Sequence, residues 1–137
     1  SPINYSTEII EQCKASLDRL YNCRDNLEFA LENAQDNHPD NETEIKEKLV
    51  SHRQDFITAM DDDLNTADGI AAIFELVRDI NSLINAESGK ELCRFAWELF
   101  NELTKVVGLA QKKEEKSLDA EIEELIRKRT EARKNKD

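Results

Sequence analysis

Apolar residues recur every three or four positions along most of the chain, the spacing that gathers them on one face of an α-helix. The first stripe runs Ile10, Cys13, Leu17, Leu20, Leu27, Leu31 and Ala34, interrupted at Arg24. Ahead of it, Pro2 disfavours helical geometry in the residue before it. Residues 1–5 therefore read as an extended lead-in, with Ser6 or Thr7 as the helix cap. Asn, Asp and Pro dominate residues 36–41, which predicts a loop. A second helix is predicted from about Glu42 to Met60, with Ile45, Leu49, Phe56 and Met60 on one face and His52 in the same stripe. A third, about Ala67 to Asn85, is the most apolar and is expected at the centre, carrying Ile70, Ile73, Phe74, Val77, Ile80 and Ile84. Ser88 and Glu91 form a Ser-x-x-Glu capping pattern. The fourth helix after them turns Leu92, Phe95, Ala96, Leu99, Leu103 and Val106 inward and stops at Gly108. A charged linker, residues 111–117, leads to a last helix starting near Leu118, with Ile122, Leu125 and Ile126 on one side.

These elements predict an all-α chain: an antiparallel four-helix bundle with short loops and a protruding fifth C-terminal helix. Composition agrees. With 3 Gly and 2 Pro in 137 residues and 36% charged residues, the chain has too few turn formers for a β-sandwich or barrel. No apolar run approaches the ~20 residues of a membrane span, and no signal-peptide pattern opens the sequence. The expected location is the cytoplasm, with no membrane partner. Cys13, Cys23 and Cys93 are odd in number and scattered, which suits small buried hydrophobes better than a disulfide framework or a metal site.

Charge changes the picture, because it is unevenly spread. The net value is −11, yet residues 1–111 carry 10 basic and 22 acidic side chains, while residues 112–137 carry 9 and 8. Between Arg127 and Lys136 six basic residues face a single acid, Glu131. A basic terminus on an acidic body can steer a polyanion to one end of the molecule. The plainer reading is a solvated helix end whose cations suit the macrodipole.

Candidate chemistry elsewhere is sparse. His52 has no second His or Cys at helical spacing with which to chelate a metal, and it reads as a hydrogen-bonded core residue. Asp61, Asp62 and Asp63 invite a metal reading, but an EF-hand loop needs Gly at its sixth position and Glu at its twelfth. Thr66 and Ala72 stand there instead. The stretch Asp61, Asp62, Asp63, Asn65, Thr66 is better explained as a turn and cap, and no metal is expected. Neither a Gly-rich phosphate loop nor a nucleophile–base set is present, so no catalytic residues are assigned. The Ser-Pro opening and the uncapped end read as a piece of a longer protein.

Three stretches carry a family resemblance: SPINYS at the start, AMDDDLNTADGIAAIFELVRDIN in the middle and LDAEIEELIRKRTEARKNKD at the end. In this order and at these separations they resemble bacterial cysteinyl-tRNA synthetases, in the helical-bundle (DALR-type) region that follows the catalytic domain. The resemblance covers essentially the whole chain. It departs at Ala67, where the family usually has Pro, a residue pre-organised for the first helical turn. It also lacks the His-x-Gly-His and Lys-Met-Ser-Lys-Ser signatures. The resemblance implies a class I cysteine–tRNA ligase as the parent, using ATP and zinc, and a fragment without catalysis or cofactors of its own. Its three cysteines are not carried over as zinc ligands. The implied partners are the tRNA for cysteine and the catalytic domain of the same chain, with no DNA. Residues 1–111 would form the bundle, and residues 112–137 the charged linker and the start of an anticodon-proximal segment.

Arg or Lys on a rigid helix suits the phosphates and ribose hydroxyls of an RNA minor groove. Arg127, Lys128, Arg129, Arg133, Lys134 and Lys136 are therefore the RNA-binding candidates. Two other readings stand beside this one: the equivalent domain of a paralogue that joins cysteine to an amino-sugar, and a helical protein-interaction module.

Overall fold

Ser6 starts the first helix. Its backbone is extended and its Oγ accepts the Ile9 N–H at 3.1 Å, satisfying one of the amides that a first turn leaves unpaired. The computed structural model describes residues 6–61, 66–111 and 115–136, with side chains 119–129 in the last range. Five helices follow one another: α1 (Thr7–Asn33), α2 (Glu42–Asp61), α3 (Thr66–Leu83), α4 (Lys90–Val107) and α5 (Glu115–Lys136). A single 3₁₀ turn, Ala86–Ser88, precedes α4, and there is no strand among the described residues.

The apolar stripes meet in one core. Leu17, Leu20 and Leu27 of α1 join Leu49 of α2, Ile73, Leu76 and Ile80 of α3, and Phe100 and Leu103 of α4. The most apolar helix, α3, is indeed central: it packs against each of the other four. The most extensive helix–helix packing is between α2 and α3, whereas α1 packs on α3, α4 and α5. Although consecutive, α1 and α2 touch little. Their loop crosses to α4 instead: Lys90 donates its N–H to Gln35 O at 2.9 Å, and Asn37 Nδ2 donates to Glu87 O at 3.0 Å.

That crossing explains why the Ser88–Glu91 capping box does not form. The N-cap of α4 is Gly89, at φ 94° and ψ 150° with no side-chain cap. A Cβ there would lie 2.0 Å from Asn37 O, so glycine alone allows the loop to approach. Ser88 is used one step earlier, where its Oγ accepts the Asn85 N–H at 3.0 Å and closes the 3₁₀ turn. The stop at Gly108 holds: its φ is 73°, and Leu109 donates its N–H to Thr104 O at 2.9 Å.

Three further expectations shift. In α1, Cys23 and Ala30 complete the buried stripe, passing on either side of Arg24. In α4, Val107 is buried and Val106 is 60% exposed, the reverse of the predicted inward residue. The fifth helix begins at Glu115 and does not stand clear of the bundle over its first half. Ile122, Leu125 and Ile126 are buried in the common core, against α1 and α3. Burying each is worth ~1.5–3 kcal/mol, enough to seat the helix rather than leave it free.

Candidate nucleic-acid interface

Positive charge is concentrated on α5, and the first half of that helix decides where it is presented. Its apolar residues are seated as described, and a polar latch fixes them further. Glu121, 4% exposed, accepts the Tyr21 hydroxyl of α1 at Oε2 and the Gln111 N–H at Oε1, the latter at 3.1 Å. Beside it Arg24 donates to Ala110 O at 2.7 Å, and its guanidinium lies 5.9 Å from the Tyr21 ring centroid. Arg24, which interrupts the sequence stripe, thereby holds the buried turn at Ala110, whose φ of 57° is left-handed. A buried carboxylate with two donors is costly to disrupt, so the latch orients α5.

The candidate cations then part company. Arg127 and Lys128 both pair with Glu124 one turn back, Lys128 at 3.3 Å. The Arg127 guanidinium, with Lys128 beside it, holds the Glu124 carboxyl below its ordinary range. Arg129 turns the other way, and its guanidinium reaches the buried Cys13 Sγ at 3.6 Å. Arg133, Lys134 and Lys136 continue α5, and their side chains lie outside the described ones.

Arg129 shares a groove of about 490 Å³ with residues the sequence did not single out as a site. Leu125, Ile70 and Phe74 line it together with Gln12, Ser16 and Arg19 of α1. The Arg19 guanidinium sits over the Phe74 ring at 4.9 Å, a cation–π contact that holds it in place. Arg19 and Phe74 carry no sequence signal of their own. Their only cue is that each falls on the face of its helix that α5 comes to cover.

Asp61 ends α2 and Thr66 begins α3, while Asp62, Asp63 and Asn65 fall outside the described residues. His52 Nε2 meets Asp79 Oδ2 at 2.5 Å, a hydrogen-bonded link from α2 to α3 of the kind its position predicts. All three cysteines are buried thiols, and burial pushes Cys23 up to about 12.

Among the described residues, His38, Glu42 and Glu91 come close enough for their donor atoms to share an ion. The Lys46 ammonium, however, lies 3.6 Å from Glu42 and 3.5 Å from Glu91 and supplies the positive charge itself. Three buried, separated thiols and a lysine-occupied carboxylate pair do not fit a zinc site.

Comparison with known proteins gives the family context. Residues 55–111 match the model of the DALR domain family. Along 138 aligned positions the chain is 46% identical to a protein of Clostridioides difficile (strain 630) named Cysteine–tRNA ligase, covering 100% of this chain and 30% of that protein. No solved structure matches. No helix among the described residues is long and apolar enough to cross a membrane.

Proposed function

We propose that this chain, a DALR-domain protein homologous along its whole length to part of a cysteine–tRNA ligase, is a tRNA-binding accessory module without catalysis of its own. In this reading α1 to α4 form an antiparallel bundle over residues 1–111, and residues 112–137 lead towards the anticodon side of the tRNA. Cysteine activation, with its ATP and any zinc, belongs to a catalytic domain elsewhere in the same cytoplasmic protein. The module contributes position and charge. The cysteine–amino-sugar reading is less favoured, since the relative at 46% identity carries the tRNA ligase name.

The observation that carries the proposal is the seating of α5. Ile122, Leu125, Ile126 and Glu121 fix a helix with a basic second half on a body that is otherwise strongly acidic. A rigid cationic helix is what backbone contacts to RNA require, and its acidic surroundings confine RNA to that side.

The test is binding of a cysteine tRNA transcript across a salt series. Removing residues 127–137 takes the net charge from −11 to −15 and spares Glu121, Ile122, Leu125 and Ile126, while losing the Arg129 contact to Cys13. The expected result is weaker binding and a flatter log–log salt slope, by somewhat under one unit for each phosphate no longer neutralised. A Lys48→Glu, Lys90→Glu variant reaches the same net charge at exposed positions on α2 and α4 and should keep the wild-type slope. Equal losses in the two variants would reduce the tail to general charge, and the proposal would fail.

A further inference from the structure

The groove between α1, α3 and α5 brings two guanidiniums, Arg19 and Arg129, to one lining. Among the described residues, no carboxylate lines this groove. Arg19 and Arg129 both line it, and among the described residues neither has a carboxylate partner. The other cations of the bundle with defined contacts are mostly paired: Arg53 with Glu102, Arg78 with Glu75, and Lys46 with Glu42 and Glu91. On α5 itself, Arg127 and Lys128 divide one carboxylate between them. Of the guanidiniums without a described carboxylate partner, Arg24 is bound to Ala110 O, whereas Arg19 and Arg129 line the groove.

We infer that this groove is a docking site for a single-strand or loop segment of RNA, with the phosphodiester backbone held by Arg19 and Arg129. The lining suits that ligand. Half-buried Phe74 lies in it beside the buried Ile70 and Leu125, and Gln12 and Ser16 offer donors and acceptors for a 2′-hydroxyl. Arg19 is already held by its stack on Phe74, so little side-chain freedom is lost when it takes a phosphate. An acidic protein segment would satisfy the two charges, but it has no ribose hydroxyl for Gln12 and Ser16. The site rests on the tRNA-binding reading and relocates its centre from the outer face of α5 to its inner face.

The test compares two pairs of substitutions in the intact chain, with a cysteine tRNA transcript as probe and poly-glutamate as the competing polyanion. Arg19 is exposed and Arg129 half-buried, so Arg19→Gln, Arg129→Gln should fold, with a Tm close to wild type. The groove pair should lower tRNA affinity by roughly tenfold or more and flatten the salt slope by more than one unit. Arg127→Gln, Lys128→Gln, which removes the cations paired to Glu124, should cost less than the groove pair. Loss confined to the Arg127, Lys128 variant would overturn the groove while leaving the tRNA reading intact. Absence of any tRNA binding by the unaltered chain would remove both. Groove-dependent binding of poly-glutamate as tight as that of tRNA would make this an acidic-protein site and contradict the inference.

Discussion

Two sides of the bundle treat charge in opposite ways. Where α2 meets α3 and α4, the basic side chains that cross between helices have acid partners: His52 hydrogen-bonds Asp79, Arg53 doubly bonds Glu102, and Lys46 pairs with Glu91. Where α1, α3 and α5 meet, the guanidiniums of Arg19 and Arg129 rest on an aromatic ring and a thiol, and no carboxylate among the described residues lines the space between them. The first side uses its charges to hold helices together. The second leaves its charges for something outside the chain. In a protein of net charge −11, position alone does not make a cation available to RNA; its neighbours decide that.

The largest effect on stability is expected on the paired side. His52→Ala leaves the half-buried Asp79 carboxylate without its partner, and should destabilise by ~1–3 kcal/mol in denaturant unfolding. Its tRNA affinity should stay at wild type. A variant that lost affinity at full stability would show that the paired side also touches RNA.

A smaller effect sharpens the same division on α5. Glu124→Gln frees Lys128 from its carboxylate, while Arg127 keeps a further contact. It should change stability by less than about 0.5 kcal/mol, as a partly exposed ion pair contributes little. Affinity for tRNA should rise two- to three-fold, on the order of one unmasked phosphate contact at moderate salt. The sign with pH follows from the lowered carboxyl. The pair's contribution is present above the ordinary glutamate range and is lost as pH falls through the depressed value. Stability of Glu124→Gln relative to wild type should therefore converge towards the acid end of a pH series.

What the sequence reveals and what it hides separate along the same physical line. The helices, the Ser6 cap and the Gly108 stop follow from local spacing and local backbone geometry, and those appear as expected. The fourth helix is different: Ser-x-x-Glu is a sound local signal, but the loop from α1 arrives at Gly89 and sets the cap from 50 residues away, as Asn37 bonds Glu87. Glu121 reads as one more solvated acid until Tyr21, 100 positions distant, is placed against it. The basic tail is legible as charge. That Arg129 turns inward while Arg127 and Lys128 stay with Glu124 depends on the seating of α5, which no local pattern states.

The most direct measurement is an amide chemical-shift map of the intact, isotopically labelled chain during titration with a cysteine tRNA transcript at low salt. The shifts and line broadening should gather on Gln12, Ser16 and Arg19 of α1, Phe74 of α3 and Arg129 of α5, while Arg53 and Glu102 on the paired side stay unmoved. Perturbations centred on α2 and the Arg53–Glu102 side, with the groove residues unchanged, would contradict the division of the molecule into a side that holds and a side that binds.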